Sequence, residues 1–104
     1  MKKTGIDLIA EERQRQIEKE RFDAYHDMQH DVDTLAIAAS CYALPFYLRE
    51  TNNKGYPKNW PLGYKYWKPE SKYPSEGFMD RIRELQKAGA LIAAEIDKLQ
   101  RGGN

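Results

Sequence analysis

All five prolines of this 104-residue chain lie between residues 45 and 74, and that confinement restricts the fold more than any other feature. Proline has no amide hydrogen to donate and its ring clashes with the preceding helical turn. Long helices are therefore excluded from the middle third and permitted on both flanks, which are rich in Ala, Leu, Glu, Gln, Lys and Arg, all good helix formers. The pattern predicts an all-α chain, a small helical bundle of three main helices. A long aromatic and proline-rich insert, about residues 45–78, separates helices 2 and 3 within a single domain spanning 1–104. That length suits one domain with one modest core, and a three-helix core of this size leaves some apolar surface wanting a partner.

The last arm, about residues 75–101, carries the clearest period. Met79, Ile82, Leu85, Gly89, Ile92, Ala93, Ile96 and Leu99 recur at steps of three and four, the spacing of a helix face expected to be buried. Ser75 is a natural cap, and Gly102-Gly103 ends the helix. A glycine within a helix costs roughly 1 kcal/mol against alanine. Gly89, set between Ala88 and Ala90, is therefore read as a point where another helix comes close.

The first arm, about residues 4–22, opens on Thr4 and Asp7, a capping-box-like pair. On a helical wheel Ile6, Ile9, Ala10 and Ile17 fall in one arc, and Arg13, Gln16 and Glu20 interrupt it. Two readings stay open. Either the stripe is weak and its long side chains reach solvent, or the three polar groups face an interior pocket or a subunit seam. After the connector, Asp31 or Asp33 is placed to start a second helix over about residues 32–44. Leu35, Ala38, Ala39 and Tyr42 form one face of it, and Pro45 stops it. Cys41, the lone cysteine, excludes an internal disulfide and reads as a buried thiol in a reducing cytosol.

Nine of the twelve aromatic residues lie in the insert. Arg49 and five lysines stand there against three glutamates, a local net charge of +3. Asn52-Asn53-Lys54-Gly55 and Pro61-Leu62-Gly63 read as turns. An ordered connection this long is usually functional. Trp60, Tyr64, Lys65, Trp67 and Lys68 interleave flat aromatic faces with cations, which suits a base stacked on a ring with its phosphate held by lysine. The plainer reading is a proline-stiffened flap whose aromatics cover the helices.

Metal chemistry has two candidates. His26 and His30, four residues apart, with Asp33 nearby, have the ligand types for Zn²⁺, Mn²⁺ or Fe²⁺; a capping and hydrogen-bonding connector is the alternative. Glu11, Glu12, Glu20, Asp31, Asp33, Glu95 and Asp97 would have to converge to hold Mg²⁺. Against that, Glu95 lies off the apolar stripe and Asp97 at its margin, as solvated acids do. No phosphate-cradling glycine loop, Ser/His/Asp order or catalytic Cys–His pairing is present. Overall charge nearly cancels, 17 basic against 16 acidic side chains, so neither long nucleic acid nor an anionic membrane is favoured. No apolar run approaches membrane-spanning length.

Several segments together resemble a family of small phage and prophage proteins. They are Ile9-Ala10-Glu11-Glu12-Arg13-Gln14-Arg15-Gln16-Ile17, His26-Asp27-x-x-His30, Leu35-Ala36-x-Ala38-Ala39-x-x-Tyr42-Ala43, Trp60-Pro61, Trp67-Lys68-Pro69 and Lys87-Ala88-Gly89-Ala90-Leu91-Ile92-Ala93-Ala94-Glu95-Ile96-Asp97. The resemblance implies phage origin and a place in the host cytosol. Asp31-Val32-Asp33-Thr34-Leu35-Ala36 is loosely similar to the first carboxylate motif of MazG-like all-α nucleotide pyrophosphohydrolases. The second motif is not matched, because Glu95 and Asp97 stand two apart rather than three.

The expectation is a phage-encoded binder of a nucleotide-like ligand, with no cofactor, acting as a sponge for an antiviral-defence signal and assembled as a homo-oligomer. Arg13, Gln16, Glu20, Trp60, Tyr64, Lys65, Trp67 and Lys68 are its candidate ligand residues. A divalent-metal MazG-like hydrolase using His26, His30 and Asp33 is the enzymatic alternative, and an inhibitor docking its flap on a host protein is the third.

Overall fold

A computed structural model describes residues 2–19, 33–70 and 78–102. Three α-helices order these residues: α1 (Gly5–Lys19), α2 (Thr34–Ala43) and α3 (Phe78–Gly102). Between α2 and α3 the described residues make two short 3₁₀ turns, Phe46–Leu48 and Tyr64–Tyr66, and one isolated bridge from Thr51 to Pro57. The all-α bundle expected from the proline distribution is what forms. Among the described residues no helix is long and apolar enough to cross a membrane.

The start of α1 is built as its sequence requires. Asp7 N–H donates to Thr4 Oγ1 at 3.2 Å, and Thr4 N–H donates back to Asp7 Oδ2 at 3.0 Å. These two bonds satisfy orphan amides of the first turn, and the Thr4 N–H, with the Thr4 hydroxyl, holds the Asp7 carboxyl below its ordinary value. Pro45 ends α2 as expected. Asn52–Gly55 is a turn, with Gly55 N–H donating to Asn52 C=O at 3.1 Å. Asn52 Oδ1 accepts from Lys54 N–H and Tyr56 N–H, and Gly55 adopts φ +90°, open to glycine without a steric penalty.

The core lies between α2 and α3. Leu35, Ala38, Ala39, Cys41 and Tyr42 pack on Ala88, Leu91 and Ala94, and Trp60 from the insert closes the cluster. Small residues on both helices let the backbones approach, as the alanine content of α2 predicts. The ends of α2 are finished by side chains from elsewhere. Asp33 sits at its N-terminus with φ 70° and makes no side-chain cap. Glu95 Oε1 of α3 accepts from Leu35 N–H at 3.1 Å and Ala36 N–H at 3.3 Å instead. A carboxylate there meets the positive end of the helix dipole. At the other end Arg49 donates to Cys41 C=O and Tyr42 C=O, and Arg81 to Tyr42 C=O and Ala43 C=O.

Two expectations fail here. Glu95 is buried, not a solvated acid. On α1 the arc left open from sequence is divided: Gln16 is buried with Glu12, Ile9, Arg13 and Ile17 are half-buried, and Ile6 and Ala10 are exposed. The apolar repeat of α3 is not buried within the chain either, since Met79, Ile82, Leu85, Ile92, Ile96 and Leu99 are all exposed. The face turned to the core carries Glu84, Lys87, Ala88, Leu91, Ala94, Glu95 and Lys98, a second series at three- and four-residue steps. Gly89 does mark a close approach. A Cβ there would meet Ile9 Cδ1 of α1 at 2.5 Å and Cγ1 at 2.7 Å.

Candidate functional site

Where α1, α3 and the insert meet, buried charge gathers beneath an aromatic wall. Glu12, 2% exposed, is its centre. Arg15 donates to both of its carboxylate oxygens, at 2.8 and 2.7 Å, and Arg83 of α3 reaches it at 2.6 Å. Burial alone would raise this carboxyl. The hydrogen bonds and charges of the two arginines outweigh burial and hold it below the usual glutamate value. Glu70 lies beside the cluster, 3.8 Å from Arg83 and 3.6 Å from the Lys87 ammonium. Burial pushes Lys87 below the ordinary lysine value. Glu70 offsets this in part and Arg83 adds to it. Lys87 Nζ also donates to Lys68 C=O.

A cleft opens over this cluster. Its floor is Glu12, Gln16 and Lys87, its rim Arg15 and Lys68, and its apolar wall is built chiefly of Tyr42, Trp60 and Tyr66. Three cations thus face one carboxylate. The cleft as a whole encloses about 20 Å³, room for a water-sized group, and is open to solvent. Gln16 is 3% exposed and donates Nε2–H to Glu12 at 3.3 Å. Its buried Oε1 meets no hydrogen-bond donor among the described residues. A buried acceptor left this way costs about 1–3 kcal/mol, so the floor of the cleft favours a donor here.

The aromatic wall is held by its own contacts. Tyr42 stacks on Trp67 with centroids 4.7 Å apart at 29°, and Trp60 meets both edge-on, at 5.7 and 5.0 Å. Trp60 Nε1–H donates to Gly63 C=O at 3.1 Å. Tyr42 Oη accepts from Lys68 N–H at 2.8 Å and donates to Tyr66 C=O at 3.3 Å. The Arg49 guanidinium lies 5.2 Å from the Trp67 ring centre. These bonds tie residues 63–68 to the end of α2.

Of the residues singled out from sequence, Gln16, Trp60 and Lys68 come together in this cleft. Trp67 packs behind it on Tyr42 and Arg49. Tyr64 and Lys65 are exposed, and Lys65 lies over Tyr66 at 5.2 Å. Arg13 is absent from the cleft lining and reaches Asp97 of α3 at 3.6 Å. Glu20, His26 and His30 lie outside the described residues, and Asp33 is exposed at the start of α2. Among the described residues no three His, Cys, Asp or Glu side chains are grouped to hold a metal ion. Glu11 pairs with Lys3 on the surface, Glu12 with its arginines, Glu95 with the α2 amides and Asp97 with Arg13.

Sequence reasoning missed Arg15, Tyr42, Arg83 and Lys87 as site residues. The signal lay in the second repeat of α3, where Glu84, Lys87, Glu95 and Lys98 share spacing with alanines small enough to leave room for them. Comparison with family models, curated proteins and solved structures finds no match.

Proposed function

We propose that this chain binds a small anionic, nucleotide-like ligand at the cleft between α1 and residues 60–68. One observation carries the reading: among the described residues no donor reaches the buried Gln16 Oε1, in a cleft lined by Arg15, Lys68 and Lys87. A ligand N–H or O–H, such as a base edge or ribose hydroxyl provides, would satisfy Gln16 at the cleft floor. Phosphates would lie outward, toward Arg15 and Lys68, where charge-assisted hydrogen bonds are strongest. Trp60 and Trp67 act in this reading by shaping the wall, since other side chains already cover them. In this reading a base would stack on Tyr64 at the surface or on Tyr66 in the cleft wall, beside the Lys65 ammonium. A phage protein of this kind would serve as a sponge, holding a defence signal in the host cytosol without altering it.

The test is a panel of mono-, di- and cyclic nucleotides monitored by thermal melting, followed by mass spectrometry of the ligand after denaturation. A ligand present at about 100 times its Kd contributes roughly 2.7 kcal/mol, which raises Tm by about 10 °C at this size. The rise should vanish in Gln16→Leu and shrink in Lys68→Ala. Recovery of intact ligand supports the sponge. Release of pyrophosphate or monophosphate in Mg²⁺ or Mn²⁺ replaces it with the hydrolase. Absence of any shift, with a host protein co-purifying, replaces it with the inhibitor.

A further inference from the structure

The outward face of α3 carries a heptad seam that the described chain covers only in part. Phe78, Ile82, Leu85, Gly89, Ile92, Ile96 and Leu99 follow one another at steps of four, three, four, three, four and three. That is the a/d alternation of a coiled-coil seam over three heptads, with no charged residue in it. The six side chains are 83%, 38%, 44%, 48%, 50% and 46% exposed, and Met79 beside them is 73% exposed.

With about 180–200 Å² for a fully exposed side chain of this size, these fractions leave on the order of 700 Å² of apolar surface, against ~800 Å² per partner in a standard interface. A monomer's largest exposed apolar patch is typically only about 300–600 Å². At 1.5 Å per residue the seam runs roughly 32 Å, most of the length of the helix. An apolar groove between Leu8 and Ile9 of α1 and Ile82 and Leu85 of α3 continues it sideways.

We propose that this face is where a second copy of the chain docks, α3 against α3. A 3-4 repeat of Ile and Leu is complementary to itself: each side chain is a knob, and four of its neighbours frame the hole that receives one. The seam is as free of charge as the interfaces of homodimers, which are more apolar than those of transient partners. Gly89 interrupts the row of knobs at its centre and is filled from within the chain by Ile9, so α1 forms one edge of the docking face. This contact needs no ligand and stands apart from the cleft.

Sedimentation equilibrium of the full, ligand-free chain tests it. The expected mass is twice the 12.1 kDa of one chain, falling to 12.1 kDa in Ile92→Glu and in Ile96→Glu. Leu99→Lys, near the end of the helix, is a second route should either variant misfold. Far-UV circular dichroism should keep its helical signal, because these side chains lie outside the buried core cluster. Gln14→Glu, exposed on α1, should leave the mass unchanged. A wild-type chain that is monomeric at roughly 100 µM overturns the proposal, since a contact this weak would have a Kd well above the micromolar range. A variant that keeps the full mass, or retains a dimer, also overturns it by placing the contact elsewhere.

Discussion

The two seams of the bundle bury opposite kinds of side chain. Between α2 and α3 the packing is apolar and close, Leu35, Ala38, Ala39 and Tyr42 against Ala88, Leu91 and Ala94, with charge confined to the two ends of α2. Between α1 and α3 the centre is Glu12 with Arg15 and Arg83, flanked by Arg13–Asp97 and by Gln86 Nε2–H donating to Leu8 C=O. An apolar seam gains free energy with the area it removes from water. A buried ion cluster offsets a desolvation penalty with its own attractions and gains little net, yet breaking it is costly. The first seam therefore supplies stability. The second fixes where α1 lies and so gives the cleft its floor.

The largest effect should come from the apolar seam. Leu35→Ala removes a fully buried side chain and should cost about 3–4 kcal/mol, a fall in Tm of at least 12 °C by calorimetry. Glu84→Gln follows closely. Glu84 is 1% exposed and takes Arg49 at 2.9 Å, Arg81 at 3.3 Å and the Glu70 N–H at 3.1 Å. Losing its charge leaves the buried Arg49 uncompensated, at about 3 kcal/mol. A loss under 1 kcal/mol would show that Arg49 finds water there.

Glu12→Gln should cost less, about 2 kcal/mol, because Arg15 and Arg83 are each about a third exposed and rehydrate. The effect has a pH signature. The folded carboxyl titrates below the ordinary value of 4.5, so its contribution is present above that pH and disappears as pH falls through the lowered folded value. Urea melts of wild type and Glu12→Gln should differ at pH 7 and converge in acid. A constant gap would mean that the charge of Glu12 is irrelevant to the seam.

Gly89→Ala gains helix propensity but forces Ile9 to move, since two of its atoms lie inside contact distance. A net loss of about 1 kcal/mol is expected, recovered by adding Ile9→Ala; failure of the double variant to recover would place the strain elsewhere. The smallest effect belongs to Asp97→Asn. Its partner lies at 3.6 Å and the Asp97 side chain is 48% exposed, so the change should be at most about 0.5 kcal/mol and should fade in high salt.

Much of this was legible from residue order. Local rules are satisfied within a few residues, so the Thr4–Asp7 box, the Asn52–Gly55 turn, the stop at Pro45 and the three-helix plan follow from neighbours in sequence. The pairing of α1 polar groups with the insert was legible in part: Gln16, Trp60 and Lys68 do share a cleft, whereas Arg13 turns to Asp97 and Trp67 to Tyr42. The α3 reading went astray for a definite reason. Periodicity states that a helix has two faces and which is apolar; it does not say which of them the same chain will cover.

The sequence by itself determined the helices, the aromatic insert, the close approach at Gly89 and the burial of Cys41, because propensity, proline geometry and residue size act at short range. Only the tertiary structure decided that the small and charged face of α3 turns inward, that Glu95 caps α2 and that Gln16 Oε1 meets no donor among the described residues. Those outcomes depend on distant residues meeting. Alanines on α2 and α3 let the helices close until Glu84, Glu95 and Lys87 find backbone and countercharge within reach. That leaves the isoleucine seam of α3 facing outward, on the surface where the chain is proposed to meet its copy.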